Sequence, residues 1–304
     1  MEIHERSNRE MLKCHYLIIS GGNAMLLGGT VTGDYTTPEE WGVLLRKSGF
    51  KAITAPFSCL DNEETTDRYM SIIRDANVVI SEIGVWKNLF DPDPSKADEA
   101  LLFAKGQIRL ADKLKIPCCV NIAGTSSPLG WDAADKNNFS DATRHRIIEI
   151  IREIIDEVRP EYSYYCLEPM PWMLPDSPDE YIKLIEEIDR EKFAVHMDFV
   201  NMINSPRRFL MSEDFIEECF SKLAPYIKST HIKDSRMDKL GYTTHIDECP
   251  PGKGELDYAA VLKIMDRYLP SDGAILLEHM NTFEEYDEAF RYVKEMAIKA
   301  QVEV

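Results

Sequence analysis

Four residues of this chain have the side chains and the placement to bind a metal ion together: Glu168, Asp198, His231 and Glu278. Each one ends a short apolar run typical of a β-strand, namely YYCLE, FAVHMD, IKSTH and AILLE. Three carboxylates and one imidazole form a donor set that suits Mn²⁺, Mg²⁺, Co²⁺ or Zn²⁺. If the strands are neighbours in a parallel barrel, their ends meet at the face where α/β barrel enzymes have their active sites.

The segments that must position these residues alternate between strand-like and helix-like patterns. Strands are predicted at 25–31, 52–56, 78–83, 118–122, 163–168, 193–198, 227–231 and 274–278. Amphipathic helices are predicted at 38–48, 64–75, 95–114, 142–158, 178–190, 213–223, 256–268 and 284–300. Eight βα units are the number that closes a (β/α)₈ TIM barrel. We therefore predict one α/β barrel domain over residues 25–304, preceded by a short N-terminal extension, residues 1–24.

An open doubly wound sheet is the alternative fold. It is disfavoured because GGTVTG at residues 28–33 lacks the GxGxxG spacing of a dinucleotide-binding loop. The longest irregular segments, 123–138, 169–177 and 233–254, all follow predicted strands. In a barrel they would lie on the catalytic face.

Charge and composition exclude several classes of function. A net charge of −18 argues against a nucleic-acid partner, which needs clustered Lys and Arg, and against docking on anionic membranes. No run of about 18 apolar residues predicts a membrane span, and glycines interrupt the apolar stretch 14–32, which disfavours a signal peptide. Seven cysteines without CxxC spacing indicate reduced thiols in a cytoplasmic protein.

Five short motifs resemble the xylose isomerase-like sugar isomerase and epimerase superfamily. They are LEP (167–169), HMDFVN (196–201), THIKDSR (230–236), PGKGELDY (251–258) and LLEHM (276–280). The resemblance extends from about residue 25 to the C-terminus and is most specific in the second half. It implies that Glu168, Asp198, His231 and Glu278 bind one divalent ion, with Mn²⁺ as the first choice. It also implies that Glu168 and Glu278 exchange a proton with substrate carbon, and that Arg236 contacts substrate.

This chemistry is reasonable on physical grounds. Removing a proton beside a carbonyl leaves an enediolate, whose negative charge a metal ion stabilises. Carboxylates on the two faces of the substrate can then remove a proton and return one. Return to the same carbon from the opposite face is epimerisation, and return to the neighbouring carbon is isomerisation.

The substrate side departs from the epimerases. Asn201 stands where they commonly have a histidine, and Lys233 is predicted to share the face of its strand with His231. Both are candidates for substrate binding, as are Trp86, Trp172 and Asn121 near other strand ends. Two further histidines are discounted as metal ligands. His196 is expected to support the site by hydrogen bonding, and His279 to point outward to the helices.

The sequence leaves three alternatives to a sugar isomerase or epimerase as the function of this protein. A lyase on the same scaffold, either an inosose-type dehydratase or a C-glycoside deglycosidase subunit, would use the same base but expel a leaving group. A non-catalytic carbohydrate-binding barrel is less favoured. A DNA-repair endonuclease is disfavoured because it would need more histidines at strand ends and a basic face. The resemblance also implies a carbohydrate substrate and a homo-oligomer, either a dimer or a tetramer.

Overall fold

The computed structural model of the protein describes residues 24–304. Eight parallel strands close into a barrel in the order β1-β10-β7-β6-β5-β4-β3-β2, which confirms the predicted TIM barrel. Its strands are β1 (Leu26–Gly29), β2 (Ala52–Thr54), β3 (Val79–Gly84), β4 (Cys118–Asn121), β5 (Tyr164–Leu167), β6 (Phe193–Asp198), β7 (Ile227–Ile232) and β10 (Ala274–Leu277). Nearly all of the predicted extension at residues 1–24, with Cys14, lies outside the described residues.

Helices cover the outside of the barrel. They are α1 (Pro38–Ser48), α2 (Glu63–Asp75), α3 (Pro94–Leu114), α4 (Asp141–Val158), α5 (Pro178–Ile188), α6 (Pro206–Leu210), α7 (Ser212–Leu223), α8 (Tyr258–Tyr268) and α9 (Phe283–Ala300). Thr37 and Thr282 begin α1 and α9 with capping boxes, in which a threonine hydroxyl and a glutamate satisfy the first free N–H groups. Every helix except α7 begins with a side-chain cap, and the predicted helix starts lie within two residues of the observed ones. The short α6 was not predicted.

The register of the strands brings the metal-binding candidates to one end of the barrel. Asp198 of β6 pairs with His231 of β7, so the two side chains lie level. Glu278 follows β10, whose Leu277 pairs with Ile232. Glu168 follows β5 and its backbone N–H donates to the carbonyl of Asn121 on β4. The C-terminal ends of four strands therefore present their side chains to one space.

A hairpin replaces part of the segment 233–254, which was predicted to be irregular. Its strands are β8 (Asp234–Met237) and β9 (Ile246–Cys249), which pair in antiparallel register. The Asp234 carboxylate accepts N–H groups from Ser235, Gly252, Gly254 and Leu256 at 2.8–3.1 Å. A Cβ at residue 254 would lie 2.2 Å from Asp234 Oδ1, so glycine is required there. These contacts fix the base of the hairpin beside the barrel mouth.

Two further observations concern the cysteines and the helices. The six cysteines between residues 24 and 304 are free, and four of them are buried. In the same range, no helix combines the length and the apolar character needed to cross a bilayer.

Candidate metal centre and active site

Glu168, Asp198, His231 and Glu278 converge at the C-terminal end of the barrel. One ligand atom from each lies within 4.8 Å of those from the other three. His231 Nδ1 is 3.1 Å from Glu278 Oε1 and 3.4 Å from Glu168 Oε1. All four side chains are at most 12% exposed. The structure thus brings together the whole set that was chosen from the sequence.

The chemistry of this cluster fits a divalent cation. His231 Nδ1 and Asp198 Oδ2 are buried, and both face charged groups of the cluster: Nδ1 is 3.1 Å from Glu278 Oε1, and Oδ2 is 2.8 Å from Lys233 Nζ. Buried carboxylates this close to one another need positive charge beside them, and a divalent cation would supply it. Three carboxylates close to one imidazole nitrogen also suit a divalent cation that binds both oxygen and nitrogen ligands. These four residues could hold a metal ion.

A buried carboxylate behind the cluster orients the imidazole. Glu82 Oε1 is 2.9 Å from His231 Nε2 and accepts from Thr54 Oγ1 at 3.0 Å. Its Oε2 is 2.9 Å from His196 Nε2 and accepts from Ser229 Oγ at 2.7 Å. Burial opposes the charge of Glu82, but the two imidazoles hold the pKa of this carboxyl well below its usual range. A carboxylate on the far nitrogen of a histidine is a common support for a metal ligand.

Glu82, His196 and His231 are themselves close enough to form a second possible metal site. Both oxygens of Glu82 are already occupied, however, each by an imidazole and a hydroxyl. His231 presents Nε2 to this group and keeps Nδ1 for the acidic cluster. Glu82 and His196 therefore lie behind the acidic cluster, and a supporting role of His196 stays a prediction.

The acidic cluster determines the charge of His231. Burial opposes protonation, but Glu278, Glu82 and Glu168 surround the ring and raise the pKa of this imidazole well above its ordinary value. The opposite holds for Glu278. Burial disfavours its charge, yet His231 and Lys233 keep its pKa well below the usual range. The positive charge of a protonated His231 and the negative charge of Glu278 therefore stabilise each other.

Lys233 lies inside the cluster and is fully buried. Its Nζ is 2.8 Å from Asp198 Oδ2, 2.9 Å from Glu278 Oε2 and 2.9 Å from Glu248 Oε2. Burial disfavours the ammonium ion, but the carboxylates around it raise the pKa of Lys233 well above its usual value. The side chain predicted to bind substrate is therefore in direct contact with two of the candidate ligands.

Asn201 also reaches the candidate ligands. Its backbone N–H donates to Asp198 Oδ1 at 2.9 Å, and its Nδ2 donates to Glu168 Oε1 at 3.3 Å. Asn201 and Lys233 therefore both orient carboxylates of the cluster. Any contact of either residue with substrate stays a prediction.

At the mouth of the barrel, the sequence analysis missed Glu248 and predicted the wrong direction for His279. Glu248, on β9, accepts a hydrogen bond at Oε1 from His279 Nδ1, 2.8 Å away, and contacts Lys233 through Oε2. His279 was expected to point to the helices, and this was wrong. Its φ of +57° breaks the strand alternation after β10 and places Nε2 3.0 Å from Glu278 Oε1. Hydrogen bonds to Glu248 and Glu278 raise the pKa of His279 to about 10.

The aromatic candidates lie on loops around the mouth. Trp86 has a φ of +47°, and its ring covers Gly84, where a Cβ would lie 1.9 Å from the indole nitrogen. Trp172 is 39% exposed, and its Nε1 donates to the carbonyl of Asp132 at 2.7 Å. Both rings are held in place, and that of Trp172 keeps an exposed surface.

Two other candidates have side chains whose partners lie outside the cluster. The Asn121 amide bonds both the N–H and the carbonyl of Lys87, at 3.3 and 3.0 Å, and so fixes the loop after β3. The Arg236 side chain is 60% exposed on the hairpin, with Nε 3.7 Å from Asp247 Oδ2. The side chains of Asn121 and Arg236 thus bond Lys87 and Asp247 rather than the four ligand candidates, and their binding of substrate stays a prediction.

Solved structures share this fold along nearly the whole chain. A xylose isomerase-like TIM barrel protein from Mycobacterium smegmatis, in complex with magnesium, is 18% identical with a TM-score of 0.65, covering 92% of this chain and 98% of its own. An L-ribulose 3-epimerase is 15% identical with a TM-score of 0.66, covering 91% and 96%. A probable 3-DHS dehydratase from Bacillus anthracis is 17% identical with a TM-score of 0.65, covering 89% and 98%.

Sequence comparison identifies the family more directly than these distant structures do. No curated protein matches the chain. The sequence model of the xylose isomerase-like TIM barrel family matches residues 43–296, which is more than half of the 304 residues. The chain therefore belongs to the xylose isomerase-like TIM barrel family.

Proposed function

We propose that this protein is a divalent-metal-dependent isomerase or epimerase of a sugar or sugar derivative. The observation that carries the proposal is the buried convergence of Glu168, Asp198, His231 and Glu278 on one space. Solved structures with this fold include sugar epimerases, and one similar structure is a complex with magnesium. Mn²⁺ is the first choice for this donor set, with Mg²⁺, Co²⁺ and Zn²⁺ as alternatives.

The metal would be held by the four converging side chains. When bound, it would stabilise the negative charge that develops on a substrate oxygen as a proton leaves the neighbouring carbon. Glu82 would keep the His231 ring oriented through Nε2, 2.9 Å away. Asn201 would hold Glu168 through its amide, 3.3 Å from Oε1.

The proton transfers would belong to Glu168 and Glu278. Both face His231 Nδ1, at 3.4 and 3.1 Å, and they come from β5 and β10 on different sides of it. A substrate between two carboxylates can lose a proton to one and receive a proton from the other. Their surroundings differ, since Glu278 contacts the cations Lys233 and His279 whereas Glu168 contacts a neutral amide.

A lyase is the second candidate, and one observation favours it. His279 is a cationic imidazole with 58% of its side chain exposed, 3.0 Å from Glu278. An acid beside the base that removes an α-proton could protonate a departing hydroxyl. The similar structures include a probable dehydratase as well as epimerases.

One experiment tests the proposal and separates the two reactions. The purified protein is loaded with Mn²⁺ and incubated with a panel of ketoses, sugar acids and keto-inositols in deuterated water. We expect deuterium to enter a carbon beside the carbonyl of at least one substrate. A change of configuration or of carbonyl position identifies an isomerase or epimerase, and loss of water identifies a lyase. Ligand binding without deuterium uptake would instead identify a non-catalytic barrel.

Metal binding should depend on pH through His231. The raised pKa means that the imidazole carries a proton in the metal-free protein at pH 7, and this proton must leave when the nitrogen binds a metal. Burial also raises the pKa of Asp198 to about 8, so this carboxyl must lose a proton in the same range, and the apparent affinity for Mn²⁺ should rise by at least roughly tenfold per pH unit between pH 6 and 8. Calorimetry in buffers of different ionisation enthalpy measures the released proton. An affinity that stays constant over this range would contradict the prediction.

Trp172 should contribute to substrate binding by stacking on a sugar face. Its ring is fixed by Asp132 and exposed beside the mouth, so Trp172→Ala should raise KM about three- to tenfold and leave kcat nearly unchanged. Tyr162→Ala is a suitable control, because Tyr162 is 46% exposed but precedes β5 at the opposite end of the barrel. Equal KM values for the two variants would contradict a contribution of Trp172 to substrate binding.

Three features stay predictions from the sequence. They are the division into an extension (1–24) and a barrel (25–304), a cytoplasmic location, and a homo-oligomeric state. Sedimentation of the full chain would test the last.

A further inference from the structure

Glu248 brings an additional carboxylate to the site from outside the barrel strands. It lies on β9, where register pairs it with Ser235, while the adjacent Asp247 pairs with Arg236 on the other face of the hairpin. The base of the hairpin is fixed by the four N–H groups on Asp234. The placement of Glu248 is therefore determined by a supported element.

Glu248 contacts two cations, Lys233 and His279, that also contact Glu278. Lys233 Nζ lies 2.9 Å from Glu248 Oε2 and 2.9 Å from Glu278 Oε2. His279 Nδ1 lies 2.8 Å from Glu248 Oε1, and its Nε2 lies 3.0 Å from Glu278 Oε1. Lys233 and His279 thus each contact Glu278, which is a proposed metal ligand, and Glu248, which is not.

This sharing matters if the proposed function, on which the inference rests, is correct. A divalent ion would engage Asp198 and Glu278, which are two of the three carboxylates around Lys233. Lys233 is fully buried, and a buried ammonium ion without a partner is strongly unfavourable. Among residues 24–304, Glu248 is the one carboxylate in contact with Lys233 that lies outside the four-residue set.

We propose that Glu248 is a positioning residue for the metal centre. It holds Lys233 and His279 by their charges, so that both cations stay in place while Asp198 and Glu278 bind the metal. Without this carboxylate, Lys233 would rest on Asp198 and Glu278 alone and would compete with the metal for them. Loss of one negative charge near the site would also weaken its attraction for a cation.

Calorimetric titration of Mn²⁺ into the metal-free full chain tests this proposal. Glu248→Gln should weaken Mn²⁺ binding about 10- to 100-fold, the range found when groups that support metal ligands are replaced. Its metal-free melting temperature should match that of wild type, because Lys233 keeps two carboxylates. Glu255→Gln is the matched control. Glu255 is 37% exposed against 36% for Glu248, lies near the same hairpin and pairs only with Lys239 among the lysines and arginines of residues 24–304.

The outcomes separate this inference from the proposed function. Weaker binding by Glu248→Gln alone, at an unchanged melting temperature, supports the inference. If wild type, Glu255→Gln and Glu248→Gln all bind Mn²⁺ equally, the inference is overturned and the metal site stands. If Glu248→Gln melts well below wild type without metal, its role is structural and the inference is also overturned. A wild-type protein that binds no Mn²⁺ overturns the proposed function, and this inference with it.

Discussion

Replacing Glu278 with glutamine should reduce turnover by about 10²- to 10⁴-fold, the usual contribution of a positioned acid or base. The amide keeps an oxygen toward the metal but cannot accept a proton from substrate carbon. Glu168→Gln should lower turnover by a similar factor, because proton removal and proton return are both needed for a full cycle. The measurement is the rate of product formation at saturating Mn²⁺, with the substrate that takes up deuterium in the wild-type enzyme.

The two glutamine variants should lose different steps of the reaction. If the carboxylates act on opposite faces of the substrate, one variant should retain exchange of the substrate proton with solvent while the other loses it. Metal content is measured in parallel, so that loss of the ion is not mistaken for loss of the base. Glu295→Gln, an exposed glutamate of α9, serves as the control for the change of charge. Turnover above a tenth of the wild-type rate in both glutamine variants would contradict their assignment as bases.

Replacing Lys233 with methionine should destabilise the metal-free protein by about 3–5 kcal/mol, since removing one partner from a buried ion pair leaves the others uncompensated. Asp198, Glu278 and Glu248 would then lie close together without the ammonium that now contacts all three. The same change should increase the stabilisation that Mn²⁺ provides, because a bound metal would replace the missing positive charge. Chemical unfolding with and without Mn²⁺ measures both effects.

Lys105→Met is the matched control for this experiment. Lys105 is also a buried lysine, with 6% of its side chain exposed, and it pairs with Glu153 and Glu157. Those two glutamates are about half exposed, so water can solvate them when the lysine is gone. We expect a smaller loss of stability and an unchanged response to Mn²⁺. An equal Mn²⁺ response in the two variants would show that Lys233 and the metal do not share the same carboxylates.

The parts of the site that follow from chain order were predictable. Each of the four ligand candidates lies within one residue of the end of a strand, and parallel strands in a closed barrel place such positions at one rim. Local signals were sufficient for this step. The apolar runs marked the strands, and caps such as Thr37 marked the helix starts.

The supporting groups depend on contacts that sequence patterns do not encode. Glu82 reaches His231 across 149 residues, and the only sign of its role is an acid within an apolar strand. Glu248 depends on a hairpin whose base is fixed by Asp234, and no pattern in 233–254 predicted those strands. His279 was misplaced because its positive φ breaks the two-residue alternation from which its direction was inferred.

The central claim is that one divalent ion binds to Glu168, Asp198, His231 and Glu278. Anomalous diffraction at the manganese edge, from crystals of the Mn²⁺-loaded protein, tests it most directly. We predict one peak per chain, about 2.0–2.3 Å from an oxygen of each carboxylate and from His231 Nδ1. A peak between Glu82, His196 and His231 instead, or no peak in this end of the barrel, would contradict the account.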